Sequence, residues 1–324
     1  MRLLHRFAAA GAAFCLSLGC VSPLADRAAA QEPVQSGGAI STQVSLVSLF
    51  ATVRDKNKRI VTDLTQNDFQ VFQDNEQQKI AFFSKEVTLP ITIGLLIDTS
   101  GSERYRLPAE QDAASRFLER VMKKGDEAMV ISFDLDVDLL SDFTDDKHII
   151  ERAINKAQVN AVGGGGVVTP GTIPSNTGGT HFYDAVYLAC AEKLGTEAGR
   201  KTLIIITDAQ DEGSKTRLEE AVEAAQRADT VVHVLWVHEG GYGRYDVAKK
   251  LAEETGGRAI EVSNEKKLEQ AFDQISEELR SQYQIGYYYP AGRPKDGGFR
   301  KIKVDVSNKD YKVLARKGFY APKE

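Results

Sequence analysis

The chain has 324 residues, 42% hydrophobic and 27% charged, which is an ordinary globular composition long enough for one large domain or two smaller ones. A formal net charge of −5 argues against general attraction to nucleic acid or anionic lipid. Three cysteines, two of them within the first 20 residues, exclude a disulfide-stapled scaffold.

Taken in chain order, the first segment is a leader. Arg2 and Arg6 are basic, Phe7 to Val21 is apolar and small, and Ala28-Ala29-Ala30 fits a cleavage site. Residues 1–30 therefore read as a secretory signal peptide, outside fold reasoning. The apolar stretch is too short and too rich in Ala and Gly to span a membrane well. A second reading is lipid attachment at Cys20, within Leu18-Gly19-Cys20. Cleavage near Ala30 implies a secreted, periplasmic or cell-envelope protein with no transmembrane helix in the mature chain. It also leaves Cys190 alone, in the apolar run Ala185 to Cys190, where a buried structural thiol is expected.

Residues 31–40 are a polar tether, and residues 41–87 form an N-terminal β segment. Val44 to Val53 and Phe69 to Phe72 alternate apolar and polar positions, with turn signals at Asp55 to Lys58 and Asp74-Asn75 and a further strand at Lys79 to Ser84. From residue 88 to 280 the pattern becomes strand, helix, strand. The spacing predicts strands at 91–97, 128–133, 137–140, 202–207, 231–237 and 258–262. Helices are predicted at 109–123, 147–157, 182–193, 218–228, 247–255 and 265–280. Such alternation implies an α/β fold with a mostly parallel, six-stranded sheet between helices. Residues 160–179 form a long loop containing Gly163 to Gly166, Pro170 and Pro174. Residues 281–324 return to β character and are expected to pack with 41–87 as one small β-sandwich, the α/β domain being inserted between them.

The chemistry concentrates at strand ends. Asp98-Thr99-Ser100-Gly101-Ser102 follows the buried run Ile91 to Ile97, and hard oxygens in one tight loop suit a hard divalent cation rather than a soft one. Asp208 ends the run Leu203 to Thr207, and Thr180 opens the helix from Phe182. Asp98, Ser100, Ser102, Thr180 and Asp208 thus fall at one edge of the predicted sheet.

This pattern resembles the von Willebrand factor type A (VWA) domain and its metal-ion-dependent adhesion site. Asp98, Ser100 and Ser102 match the family's D-x-S-x-S, Thr180 its distal threonine, and Asp208 its last aspartate. Ala209 stands where many members carry Gly. The flanks Leu64 to Phe69 and Arg316 to Tyr320 look like the ends of the secreted bacterial, acidobacterial-type proteins called VWFA-related. The resemblance implies a Rossmann-like domain whose five side chains hold Mg²⁺, or Ca²⁺ or Mn²⁺. It also implies adhesion or scaffolding, the metal accepting an Asp or Glu from a protein partner. Ser100 and Ser102 would bind directly, and Thr180, Asp98 and Asp208 directly or through water.

Blander readings apply elsewhere. Asp211 and Glu212 read as solvated loop acids, Asp134, Asp136 and Asp138 as a polar hairpin, and His181 as a partly exposed helix-start histidine. His233 and His238 lack zinc spacing, and Tyr287 to Tyr289 with Phe319-Tyr320 read as sandwich core and edge. No nucleophile elbow or phosphate-cradling loop is present. The expectation is a binding protein without enzymatic activity. A metal-dependent hydrolase is the rival, needing Glu103, Asp211 or Glu212 as base. A structural module with a stabilising metal is the other.

Overall fold

The computed structural model describes residues 45–85, 89–159, 179–238, 240 and 243–323. The leader, the tether, Cys15, Cys20 and the Gly163 to Gly166 run lie outside the described residues. The N-terminal segment forms β1 (Leu46–Arg54), β2 (Phe69–Gln73), β3 (Glu76–Gln78) and β4 (Ile80–Ser84). Asp74 and Asn75 both have positive φ, 49° and 69°, and make the two-residue turn between β2 and β3. Asp and Asn tolerate that left-handed backbone, which matches the twist of a tight hairpin.

The α/β part runs β5 (Ile91–Asp98), α1 (Leu107–Val121), β6 (Glu127–Phe133), β7 (Val137–Thr144), α2 (Lys147–Ile154) and α3 (Phe182–Leu188). It continues through β8 (Arg200–Thr207), α4 (Leu218–Arg227), β9 (Thr230–Val237), α5 (Tyr245–Thr255), β10 (Ala259–Val262) and α6 (Glu265–Arg280). The C-terminal strands are β11 (Tyr283–Tyr288), β12 (Phe299–Val306), β13 (Lys312–Leu314) and β14 (Gly318–Tyr320).

The main sheet has the order β10-β9-β8-β5-β6-β7. Every neighbouring pair is parallel except the β6–β7 hairpin. The predicted α/β architecture is therefore present, with a mixed sheet. Central strand β5 is uncharged up to Asp98 and buried along nearly all its length, because helices cover both faces. One face carries α1, α2 and α6 over Ile93, Leu95, Phe117 and Phe272, whose rings stack at 4.7 Å. The other carries α3, α4 and α5 over Leu96, Phe133, Phe182 and Leu203. Gly94 admits this packing, since a Cβ there would lie 2.7 Å from Leu203 Cδ1 and 2.9 Å from Met129 Cε.

Strands from the two ends of the chain interleave in two further sheets, β13-β1-β11-β4 and β14-β12-β2-β3. Leu49, Val71, Tyr283, Ile285, Tyr287 and Phe319 meet in their shared core. The expected helix at 182–193 departs from the prediction: it is regular only to Leu188, and Ala189–Lys193 forms a wider π turn. Ala189 and Cys190, consecutive in sequence, are both fully buried in that turn.

Candidate metal centre

Asp98 is the last residue of β5, and parallel pairing of Ile97 with Ile206 sets it level with Thr207, the last residue of the neighbouring β8. Asp208 follows one position beyond, at the same sheet edge. Asp98 is fully buried and Asp208 is 5% exposed. A carboxylate oxygen from each lies within 4.8 Å of the other, and both lie within that distance of a carboxylate oxygen of Glu103. Glu103 arrives on the 3-10 turn Gly101–Glu103, which starts after extended Ser100 and is itself fully buried at the glutamate.

Local hydrogen bonds fix each group. Ser100 N donates to Asp98 Oδ1 at 2.9 Å, and Thr207 Oγ1 donates to Asp98 Oδ2 at 2.6 Å. The Ser100 and Ser102 hydroxyls sit 3.0 Å apart. Gln210 donates to both oxygens of Asp208, from its backbone N and its Nε2, each at 3.0 Å. The Asp208 carbonyl accepts from Trp236 Nε1 at 2.9 Å and Arg244 N at 2.8 Å. Thr180 pairs with Glu212 through both backbone bonds, 3.1 and 2.9 Å, which ties the start of α3 to the loop after Asp208. Asp134, just past β6, accepts from Thr99 Oγ1 at 3.3 Å and so holds the opening loop from its other side.

Electrostatics follow from burial. Desolvation pushes the Asp98 carboxyl up to about 7, helped by the adjacent Glu103 charge and opposed by the bonds from Ser100 and Thr207. Burial also raises Glu103, against Arg106, which reaches its two oxygens at 3.0 and 3.2 Å. Glu110 on α1 lies behind them and is held well above the ordinary carboxylate range, by burial first and then by Glu103 and Asp98. Three buried carboxylates beside two hydroxyls make a hard-oxygen donor set, and a divalent cation is the species that such a set suits. Asp98, Asp208, Ser100 and Ser102 would hold it from the two strand ends, with Thr180 at the junction to α3.

The family model described as von Willebrand factor type A domain matches residues 93–214, which contain every one of these groups. The α/β part has the VWA fold. Two solved structures carry the same fold at low identity. The "von Willebrand factor type A from Catenulispora acidiphila" is 11% identical with a TM-score of 0.50, covering 86% of this chain and 74% of that one. The mussel byssus proximal thread matrix protein 1, in a structure titled "with zinc occupied MIDAS motif", is 16% identical with a TM-score of 0.50 and covers 64% of this chain. The chain spans only about half the length of that byssus protein, 50% in this structure and 49% and 51% in two others. No curated protein sequence matches the chain.

Within the VWA domain the sequence-predicted groups divide by placement. Asp98, Asp208, Ser100 and Ser102 lie on adjoining strand ends, and Thr180 is tied in through Glu212. Sequence reading weighed Glu103 only as a candidate base. Its signal was an acid directly after the second serine, which becomes informative only once the 3-10 turn folds it inward. Asp211 is no free loop acid: it accepts from Tyr183 N at 3.0 Å and Ser214 Oγ at 2.5 Å and caps α3, while Glu212 is exposed. Ala209 adopts a φ of 60° and is fully buried, so the loop keeps a left-handed backbone without glycine. That conformation costs an L-residue roughly 1–2 kcal/mol. Cys190 is buried and free, with burial pushing its thiol up to about 12, as a structural role requires. His238 stacks on Trp236 at 4.2 Å and reaches Glu261 at 3.0 Å, whereas His233 is buried near Glu278.

Proposed function

We propose that this is an exported, divalent-cation-dependent protein-binding domain, without enzymatic activity, that holds another protein through an acidic side chain. The observation that carries the reading is the convergence of Asp98, Glu103 and Asp208 beside the Ser100 and Ser102 hydroxyls at the sheet edge. A cation bound there supplies a Lewis-acidic position that a partner's Asp or Glu can occupy, a charge-assisted contact. Mg²⁺, Ca²⁺ and Mn²⁺ are all chemically admissible with such oxygens. The leader reading of residues 1–30 supports export, and among the described residues no helix is long and apolar enough to cross a membrane.

Several contacts favour binding over hydrolysis. A general base must reach a water within about 2.6–3.2 Å. Glu103 is enclosed and held by Arg106, and Asp211 is occupied in capping α3. The likeness to secreted VWFA-related proteins at Leu64 to Phe69 and Arg316 to Tyr320 accords with an extracytoplasmic role.

The test is calorimetric titration of Mg²⁺, Ca²⁺ and Mn²⁺ into wild type and Asp98→Ala. Binding by wild type that drops at least about tenfold in the variant is expected, since a charged ligand is removed. Equal binding by both ends the metal reading. Capture of an envelope partner that disappears with EDTA supports adhesion, and capture indifferent to EDTA leaves the metal a structural role only.

A further inference from the structure

We propose that His233 makes the junction between the α/β part and the sandwich acid-sensitive, its protonation loosening the clasp of Arg54, Glu278 and Arg258 while the six-stranded sheet stays folded. No group of the metal centre takes part, so failure of the binding reading would leave this one untouched. Strand β9 otherwise buries apolar side chains, among them Val232, Val234, Leu235 and Trp236. His233 is 2% exposed, and neither of its ring nitrogens has a hydrogen-bond partner. A neutral imidazole always carries one N–H, and burying it bare costs free energy that an aliphatic side chain there would not.

The charged groups that face this imidazole come from three directions. On α6, Glu278 is 2% exposed, and its Oε2 lies 3.9 Å from His233 Nδ1. The other oxygen, Oε1, accepts from Arg54, the last residue of β1, at 2.5 Å and from Arg258, just before β10. From β8 the residue in register with His233 is Ile204, which is uncharged. Glu278 and Arg258 belong to the α/β part and Arg54 to the sandwich, so the Arg54 bond is the one that crosses the junction.

With His233 neutral, two guanidinium groups and one carboxylate leave one net positive charge in a closed space. A proton on His233 adds a second with no further anion to balance it, which burial penalises. The imidazolium draws Glu278 Oε2 towards itself, and a carboxylate shared three ways holds Arg54 less firmly. Burial, opposed by Glu278 and assisted by Arg258 and Arg54, keeps the imidazole below its ordinary 6.5. The unfolded chain therefore takes up this proton first as pH falls. The stabilising contribution of His233 is complete above pH 6.5 and is lost as pH falls towards the folded value, the opposite sense to that of Asp98. Comparison with a variant that keeps Asp98 isolates it.

The experiment records ring-nitrogen NMR signals of the histidines in the full chain from about pH 8 to about pH 4.5, His233 being identified by its absence from His233→Leu. Amide hydrogen exchange, corrected for its intrinsic pH dependence, is mapped over the same range in both proteins. The His233 signal is expected to titrate below 6.5. Across that titration, amides of residues 46–54 and 278–282 should lose at least about tenfold in protection while those of 91–97 and 203–206 keep theirs. In His233→Leu this selective loss should vanish. His233→Gln serves both purposes should His233→Leu not fold. A His233 midpoint at or above 6.5 overturns the proposal. So does the lack of a selective loss in wild type, or an equal loss in the variant.

Discussion

At the scale of single residues, Asp98 couples the site to the stability of the fold. Its carboxyl is enclosed at the end of β5, and its ionisation is pushed from the ordinary 3.8 up to about 7 by burial and by Glu103. A group raised in this way keeps its proton in the folded chain at pH values where the unfolded chain has released it. Its stabilising contribution is therefore complete below about pH 4 and is lost as pH rises through about 7. Chelator-treated protein should be less stable at about pH 8 than at about pH 5 by on the order of a few kcal/mol, and so melt at a lower temperature. On the proposed metal reading, a saturating divalent cation should remove that decline, because it would bind the ionised carboxylate. Scanning calorimetry across this range, with Asp98→Asn as control, measures it; a melting temperature that rises with pH in the chelated wild type would contradict the assignment. The residue identities were legible in sequence because D-x-S-x-S, a threonine and an aspartate are spaced markers. Glu103 was not legible as a buried neighbour of Asp98, because whether a loop glutamate points inward depends on a 3-10 turn that no periodicity announces.

At the scale of elements, the ends of β5 and β8 hold the acids and the loops around them hold the ends. Gly243 has a φ of 109°, and a Cβ there would lie 2.6 Å from Asp208 O and 2.9 Å from Trp236 Nε1. Asp208 O is the acceptor for both Trp236 and Arg244, so this close approach holds the backbone that carries the carboxylate. Gly243→Ala should destabilise the chain by about 1–3 kcal/mol through strain and overpacking. It should also weaken metal binding at least about tenfold, although Gly243 carries no ligand. Denaturant melts together with calorimetric titration check both, and an unchanged metal affinity would show that the loop does not position Asp208. Elements with their own local signals were readable in advance. The predicted helix 265–280 agrees with α6 at both ends, since Asn264 Oδ1 accepts from Lys267 N at 3.0 Å and its apolar face repeats at helical spacing. Gly256, at a φ of 88°, ends α5 as expected of a left-handed cap. The π turn after Leu188 was not readable, because its residues have ordinary helical composition and it is their packing that widens the turn.

At the scale of the whole molecule, buried arginines join the α/β part to the sandwich. Arg54 on β1 reaches Glu278 on α6 at 2.5 Å, and Arg258 binds the same carboxylate oxygen. Arg316 bridges Asp229 at 2.5 Å and the Ser48 carbonyl at 2.7 Å, while Arg200 donates to Leu279 O at 2.5 Å and sits over the Phe50 ring. Glu278 is 2% exposed, so Glu278→Ala would leave two guanidinium groups without their anion. A loss of about 3 kcal/mol or more is expected in denaturant unfolding. The exposed Arg116–Glu269 pair is the comparison, and Glu269→Ala should cost about 1 kcal/mol or less. Equal losses would mean that the junction contributes nothing special. The sandwich depends on strands from both ends of the chain, since β11 lies between β1 and β4, and β12 between β14 and β2. By itself the sequence determined the alternation of strands and helices, the placement of Asp98, Ser100, Ser102 and Asp208 at or just past buried strands and of Thr180 before a helix, and the apolar setting of Cys190. Those are local properties, written in periodicity and in residue type at element ends. Only the tertiary structure decided that Glu103 and Glu110 turn inward beside Asp98, that Asp211 caps a helix, and that Glu278 is shared by Arg54 and Arg258. Each of these brings charged groups from different elements into a space closed to water, and burial of that kind follows from how the elements pack.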